Sequence, residues 1–565
     1  MRPRRTGPLF ALAALVLMGC SGVAAPPGSP PPERARPASG NGSAAVATAL
    51  PAPDTVRDTV YVVREAAPAD REQGVFVPLE VERPEGSALT RPAASGDPAV
   101  IERVAAIIDR PPFDQMHWGI VAKDLHDGHL LLSLNAHHKF APASNMKVLA
   151  GAAALSALGP EHRFRTPAFA TGPLSGGTVR GALVVVGSGD PSFSDAFHPS
   201  WRTPFDRLAD SLLAVGARRF DGPLVIDVAA WDSTSVPGSW MVEDLGWSWG
   251  ASGGAFVVAG GQVALTLDAP STVGAEVPVR SEPRLASGRL ELDVRTAATD
   301  TAIVHSRPLG ENGRIRLSGR VPPRWRRTLR IAQGDPVRVA GELLYQVLTE
   351  RGIRFDGGLA FAWEREAELP GGCAAGRIAS CPAAHRLATL TSPPLMELLD
   401  AALGPSDNWI MDQLTRALAQ SSTGTGGWEQ AGDAVAEELG RAYNVLAYDV
   451  DVVDGSGLSA YNLATPRALV DVLTQIRIRP EGERFRRALA EPGEAGTTLS
   501  GRLGSLGGRV FAKTGSLTHT NSLSGYLVRD NGRELVFSIL TNASGLDGRA
   551  VRDVIDALVV ELARW

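Results

Sequence analysis

The sequence predicts an α+β fold, an α/β sandwich in which an antiparallel sheet is flanked by helices and interrupted by a long β-rich insertion. Helical periodicity opens the folded region and closes the chain. Alternating strand patterns follow the first helix and precede the last one. Between them, from about 165 to 385, short strand-like runs replace the helical pattern.

The elements follow in order. Arg2, Arg4 and Arg5 precede a short apolar run, Leu9 to Met18. That run falls short of the roughly 20 residues of a membrane span and reads as a targeting segment. It ends in Leu17-Met18-Gly19-Cys20, which resembles the lipobox of bacterial lipoproteins. The likeness implies cleavage before Cys20 and lipidation of its thiol; a plain secretory signal is the alternative. Residues 21–97 are rich in Pro, Ala, Gly and Ser, with Pro26-Pro27 and Pro30-Pro31-Pro32, and read as an extended disordered tether. Val56 to Val63 alternates like a stray strand.

Folding begins near Asp97. Ile101, Val104, Ala105 and Ile108 mark an amphipathic helix stopped by Pro111-Pro112. Trp118–Val121 and His129–Leu134 read as a strand pair. Pro142-Ala143-Ser144 leads into an apolar, Ala-rich helix that ends at Gly159-Pro160. Within the insertion, residues 166–385, strands are expected at Ala182–Val186, Leu224–Val228, Val263–Leu267 and Arg314–Ser318, with one helix, Pro336–Arg351. Residues 98–165 and 386–565 then form the catalytic domain. Its second part has helices at Pro394–Leu403 and Trp409–Ala419, joined by a turn carrying Ser406-Asp407-Asn408. Strands Arg509–Thr514, Leu523–Arg529 and Leu535–Leu540 follow, the last two joined through Asn531-Gly532 as a type I′ turn. Val551, Val554, Ile555, Leu558 and Leu562 line one face of the closing helix.

With 565 residues, a net charge of −5 and no basic block beyond the extreme N-terminus, the chain is not suited to a nucleic-acid partner. Cys373 and Cys381 are the only cysteines besides Cys20. In an oxidising compartment they favour a local disulfide, stabilising by roughly 2–3 kcal/mol. Two free thiols or half a metal site are the alternatives, and no His/Cys cluster supports a metal.

Lysine use is the sharpest chemical signal. Lys occurs only at 123, 139, 147 and 513, and Arg supplies the other 52 of the 56 Lys+Arg residues. An Arg cannot be deprotonated in a protein, but a partly desolvated Lys can. A lysine kept where Arg is the habit points to a titratable amine. Ser144 and Lys147 lie three apart on one helical face. A serine hydroxyl needs a base to become a nucleophile, and a neutral Lys147 suits if burial and positive charge lower its pKa. Lys513 can supply that charge. Asn408 can hold a substrate amide or Lys147, and Ser406 can relay a proton to a leaving amine. Gly515, on a strand edge, allows close approach of a substrate backbone. Thr514 and Ser516 offer hydroxyls to a carboxylate. No H-E-x-x-H occurs, and this chemistry needs no metal or cofactor. Gly246-Trp247-Ser248-Trp249-Gly250 and Gly250-Ala251-Ser252-Gly253-Gly254 match G-x-S-x-G but lack the strand before and helix after that a nucleophile elbow needs.

The ordered set S-x-x-K, S-D-N and K-T-G resembles penicillin-binding proteins and β-lactamases. More than 250 residues separate the first two motifs. With Gly187-Ser188-Gly189-Asp190-Pro191, Ser392-Pro393-Pro394-Leu395, Asp454-Gly455-Ser456-Gly457-Leu458-Ser459 and Gly496-Thr497-Thr498-Leu499, the chain is similar to the low-molecular-weight D-alanyl-D-alanine carboxypeptidase/endopeptidase family, penicillin-binding protein 4 type. The likeness runs from about 100 to 565 and is thinnest through 195–330. It implies the penicillin-binding/β-lactamase-like transpeptidase fold and acylation of Ser144 by peptidoglycan stem peptides ending in D-Ala-D-Ala. Lys147 would be the base, Ser406 and Asn408 the second catalytic element, and Lys513, Thr514, Gly515 and Ser516 the seat of the terminal carboxylate. The N–H groups of Ser144 and Ser516 would form the oxyanion hole, and β-lactam antibiotics would be covalent inhibitors. Asp190 would read the free amine of diaminopimelate; an ordinary Asp-Pro turn is the alternative. Ala460 departs from the Arg usual after G-L-S. The protein is expected in the cell envelope, periplasmic and lipid-anchored, and Ser21 is compatible with outer-membrane sorting. A β-lactamase or related serine esterase, and an inactive wall-binding scaffold, are the rival readings.

Overall fold

The computed structural model describes residues 94–234, 236–286, 288–309 and 313–565. The targeting segment with Cys20, the Val56–Val63 patch and the tether up to residue 93 lie outside the described residues. Among the described residues, no helix is long and apolar enough to cross a membrane. Residues 95–97, placed in the tether by sequence, belong to the fold. Ser95–Gly96 pairs with Leu130–Leu134, and the Asp97 carboxylate caps the Pro98–Ile108 helix through the Ala99 N–H.

Six antiparallel strands form the main sheet, in the order Ser95–Gly96, Leu130–Leu134, His117–Asp124, Glu534–Asn542, Thr520–Val528, Val510–Leu517. Strand alternation splits its side chains between two cores. Trp118, Ile120, Ala122, Phe537 and Ile539 pack against the first and last helices, Pro98–Ile108 and Gly548–Ala563. Val121, Val536, Leu540 and Tyr526 face the other way, toward a core that includes the Met146–Leu158 and Pro466–Arg477 helices. The turn between the last two strands differs from the type I′ expectation. Gly532 has φ +79°, whereas Asn531 stays out of the left-handed region. The Gly532 N–H donates to Arg529 O and the Arg529 N–H to Arg533 O. A longer loop with one left-handed glycine therefore joins these strands.

The insertion is less purely β than its sequence suggests. Leu359–Ala362, Leu224–Asp227 and Leu183–Val186 run parallel to one another, and Arg165–Ala170 and His385–Thr391 complete a five-stranded sheet. Parallel neighbours need a crossover. The Thr203–Ala214 helix supplies it between two of them, with Phe205, Leu208, Ala209 and Leu212 on its buried face. This helix was legible as i, i+3, i+4, i+7 spacing, so among the described residues the region 166–385 has two α-helices, Thr203–Ala214 and Pro336–Glu350, where the sequence led to an expectation of Pro336–Arg351 alone. Its apolar residues share one continuous core with the helix that follows Ser144: Phe205, Leu224 and Ile226 cluster with Leu149 and Met411. A second module, residues 262–332, packs two three-stranded sheets around Leu265, Leu317 and Ile331.

Candidate active site

Ser144 lies in a single 3-10 turn, Ala143–Asn145, that runs into the Met146–Leu158 helix. Ala143 has φ +50°, a conformation costing an L-residue about 1–2 kcal/mol. The turn is braced from the sheet. Asn145 Nδ2 donates to Ser522 Oγ at 2.5 Å, and Ser522 Oγ donates to Pro142 O at 2.7 Å. Two glycines also close on it. A Cβ at Gly515 would collide with Ser522 Oγ and lie 2.7 Å from Pro142 O. A Cβ at Gly457 would collide with Ala143 O. Either would come within 3.0 Å of the Ser144 nitrogen. Gly515, expected to admit a substrate backbone, is required first by the protein's own backbone.

Lys147 points back along the helix toward Ser144 and is 0% exposed. Its Nζ lies 3.0 Å from Ser144 Oγ, 2.7 Å from Asn408 Oδ1 and 2.5 Å from Ser456 O. Two of these neighbours, the amide oxygen and the carbonyl, can only accept. A neutral amine has two N–H groups and one lone pair. With its hydrogens on Asn408 and Ser456, its lone pair faces the Ser144 hydroxyl. Burial pushes the Lys147 ammonium down to about 8, against the opposing pull of Asp412, Asp454 and Asp407. The sequence argument assigned part of that lowering to Lys513, and here the structure differs. The like-charge effect falls on Lys513, which burial and then Lys147 hold well below the usual lysine range.

Asn408 opens the Asn408–Thr423 helix, capped by Asp407 Oδ1 accepting from the Ile410 N–H at 2.9 Å. Its side chain is held at both ends, because Nδ2 donates to Trp249 O at 2.8 Å. One amide hydrogen and one lone pair of its oxygen are thus engaged within the protein, which fixes the side chain with Oδ1 toward Lys147. Ser406 takes φ +69° in the preceding turn, and among the described residues no hydrogen bond holds its hydroxyl.

The carbonyl that meets Lys147 comes from the Asp454–Ser459 loop, whose role in the site the sequence did not reveal. Asp454 is fully buried. Its Oδ1 accepts from Gly457 N and Asn462 Nδ2, and its Oδ2 from Ser459 N and Trp240 Nε1. Asp412, one turn beyond Asn408, accepts through Oδ1 from Gly455 N and Ser456 N. Burial, then the Asp454 charge, raises its carboxyl well above the usual range.

Lys513 to Ser516 lie on the Val510–Leu517 edge strand. Lys513 Nζ donates to Thr514 O at 2.9 Å and is 0% exposed. The Ala512 N–H points outward to Ala490 O. By the two-residue period of a strand, the Ser516 N–H also points away from the sheet. Ser516 is exposed, and its Oγ reaches Asn521 Oδ1 at 3.3 Å.

Asp190 is only 4% exposed, with Oδ1 accepting from Ser192 N and Oδ2 buried without a partner among the described residues. Burial pushes it up to about 6. Cys373 and Cys381 are joined by a disulfide. It closes the 373–381 loop, whose Gly376 N–H donates to the buried Asp227.

This arrangement can take a proton from a serine beside an exposed strand edge, as acyl transfer requires. The sequence pattern of the D-Ala-D-Ala carboxypeptidase 3 (S13) family matches residues 100–564. The D-alanyl-D-alanine carboxypeptidase of Actinomadura sp. is 31% identical over 479 residues, 82% of this chain and 84% of its own length. The D-alanyl-D-alanine carboxypeptidase DacB of Haemophilus influenzae is 25% identical over 431 residues, 74% of this chain and 84% of its own. Penicillin binding protein 4 (dacB) from Haemophilus influenzae shares the fold, with a TM-score of 0.70 at 23% identity, over 82% of this chain and 99% of that one. A second structure of that protein is complexed with a β-lactam. The chain belongs to the D-Ala-D-Ala carboxypeptidase 3 (S13) family and is a serine-type D-Ala-D-Ala carboxypeptidase, a hydrolase.

Proposed function

We propose that Ser144 is the nucleophile and Lys147 its base, acting on peptidoglycan stem peptides that end in D-Ala-D-Ala. The observation that carries this reading is the pair of acceptors, Asn408 Oδ1 and Ser456 O, that leave the Lys147 lone pair on Ser144 Oγ. As the Ser144 Oγ bonds to the penultimate D-Ala carbonyl carbon, its proton passes to Lys147 Nζ. The carbonyl electron pair moves onto oxygen, between the N–H groups of Ser144 and Ser516. Removing one such donor typically costs about a hundredfold or more in rate. Collapse breaks the C–N bond, and the amine of the terminal D-Ala leaves with a proton relayed through Ser406. Water then attacks the acyl-Ser144 ester by the same route, releasing the shortened peptide and restoring the hydroxyl.

Lys513, Thr514 and Ser516 receive the terminal carboxylate, with Gly515 holding their strand against the Ser144 turn. Burial, then the Lys147 charge, disfavours the Lys513 ammonium. An arriving carboxylate supplies the opposite charge that favours it. Asp190 is a candidate to read the free amine of diaminopimelate, where an ammonium would satisfy its unpartnered Oδ2. Endopeptidase action on crosslinks uses the same site, and β-lactam antibiotics acylate Ser144. The catalytic domain comprises residues 95–164 and 392–565, with 165–391 inserted, because Arg165–Ala170 and His385–Thr391 belong to the inserted sheet. Lipidation at Cys20 and the tether that precedes Ser95 hold the enzyme in the periplasm.

Fluorescent penicillin labelling of wild type and Ser144→Ala tests this. A long-lived label, absent in Ser144→Ala, is expected. No label on wild type would overturn the penicillin-binding reading, and loss of label within seconds would make the enzyme a β-lactamase. Digestion of crosslinked muropeptides then separates endopeptidase from carboxypeptidase products.

A further inference from the structure

Both groups that accept from Lys147 are held in part from outside the two catalytic segments. The segment 236–250 of the inserted region does this. It contains the first G-x-S-x-G match, which has no strand-to-helix elbow. Trp240 is 6% exposed and packs on Trp428 and Leu458. Its Nε1–H donates to Asp454 Oδ2 at 2.9 Å. The same carboxylate takes the Ser459 and Gly457 N–H groups, and so shapes the loop that presents Ser456 O. At the other end, the Trp249 carbonyl fixes the Asn408 amide with Oδ1 toward Lys147. Trp249 is itself placed by stacking on Trp247 at 5.5 Å and by its Nε1–H donating to Asp244 Oδ1 at 2.7 Å. Trp247 packs on the core of the 262–332 module. A Cβ at Gly246 would collide with Ser306 O, so the segment runs tightly along that module.

We propose that residues 236–250 are a positioning element of the reaction, Trp240 through its indole N–H and Trp249 through its carbonyl orienting the two acceptors that hold Lys147. This rests on the reading of Lys147 as the base of Ser144. The insertion is then part of the acylation machinery and not only a substrate-facing addition.

Trp240→Phe keeps the aromatic packing and deletes only the donor to Asp454. Acylation by a fluorescent penicillin is followed under single-turnover conditions over a concentration series. The limiting rate constant is expected to fall about tenfold, the scale of one hydrogen bond to a buried charged group. The half-saturating concentration should stay unchanged. A merely structural role would instead lower the labelled fraction while the surviving molecules acylate at the wild-type rate. That result overturns the proposal. If Trp240→Phe does not fold, Gly246→Ala decides, because it shifts the segment without touching Asp454 or Asn408. A slowed limiting rate supports the proposal, and a wild-type rate overturns it. Lys147→Ala is measured alongside. Normal acylation there sinks the base assignment itself, whereas a dead Lys147→Ala with an unaffected Trp240→Phe sinks only the positioning role.

Discussion

Replacing Lys147 by Arg keeps a positive charge and N–H donors and removes the lone pair, while placing a larger, planar group in a fully buried site. In the wild type, burial brings the amine to about 8, so at pH 8 about half of it is neutral and able to take the Ser144 proton. A guanidinium, with a pKa above about 12, leaves a neutral fraction of roughly 10⁻⁴ or less at that pH. Acylation should therefore fall by about four orders of magnitude, the upper end of what a general base contributes. The three oxygens around Nζ, namely Ser144 Oγ, Asn408 Oδ1 and Ser456 O, can each accept from a guanidinium N–H, so no donor need be left unpaired. The assay is the single-turnover acylation rate across pH 6 to 10, with thermal melting as the control for folding. The sign is set by the base: the ammonium cannot accept a proton, so the wild-type rate must rise with pH through about 8. At pH 6 it should be about a hundredfold below its plateau. A folded Lys147→Arg that acylates within tenfold of wild type would refute the amine-as-base argument. A wild-type rate that is flat between pH 6 and 9 would refute it independently.

Asn408→Asp places a carboxylate 2.7 Å from Nζ, which favours the ammonium. The rise in acylation rate should move about 1–3 units to higher pH in the same series, and an unmoved profile would show that this oxygen does not face the amine. Gly515→Ala should force the edge strand off the Ser144 turn. The expected cost is about 1–3 kcal/mol in denaturant titration, with acylation reduced at least about a hundredfold by loss of oxyanion geometry. Ser406→Gly removes a hydroxyl that has no partner among the described residues and relieves φ +69°. Melting should show up to about 1 kcal/mol of gained stability while turnover on D-Ala-D-Ala peptides drops; unchanged turnover would remove Ser406 from the mechanism.

The chemistry-bearing side chains were legible as sequence because each acts through its own functional group. Lysines at 147 and 513, in a chain where 52 of the 56 Lys+Arg residues are Arg, announce amines, and helix or strand periodicity places them on a first turn and on a strand. Helices that bury one face, such as Gly548–Ala563, were legible for the same reason: their spacing records which side meets the core. The parallel strands at Leu183–Val186 and Leu224–Asp227 looked like any short apolar run, since direction leaves no mark on composition. Only the tertiary structure decided what surrounds Lys147. Two of its partners are carbonyl oxygens, one of them in the backbone of Ser456, and a backbone carbonyl has no residue signature. The lowering of its pKa comes from burial, which depends on contacts between segments hundreds of residues apart. That Asp190 is buried, only 4% exposed, was likewise beyond the sequence, for the same reason. The sequence by itself determined which groups can do the chemistry. The packing of distant segments decided which proton Lys147 can take, because protonation in a buried site is set by the neighbours that solvent would otherwise replace.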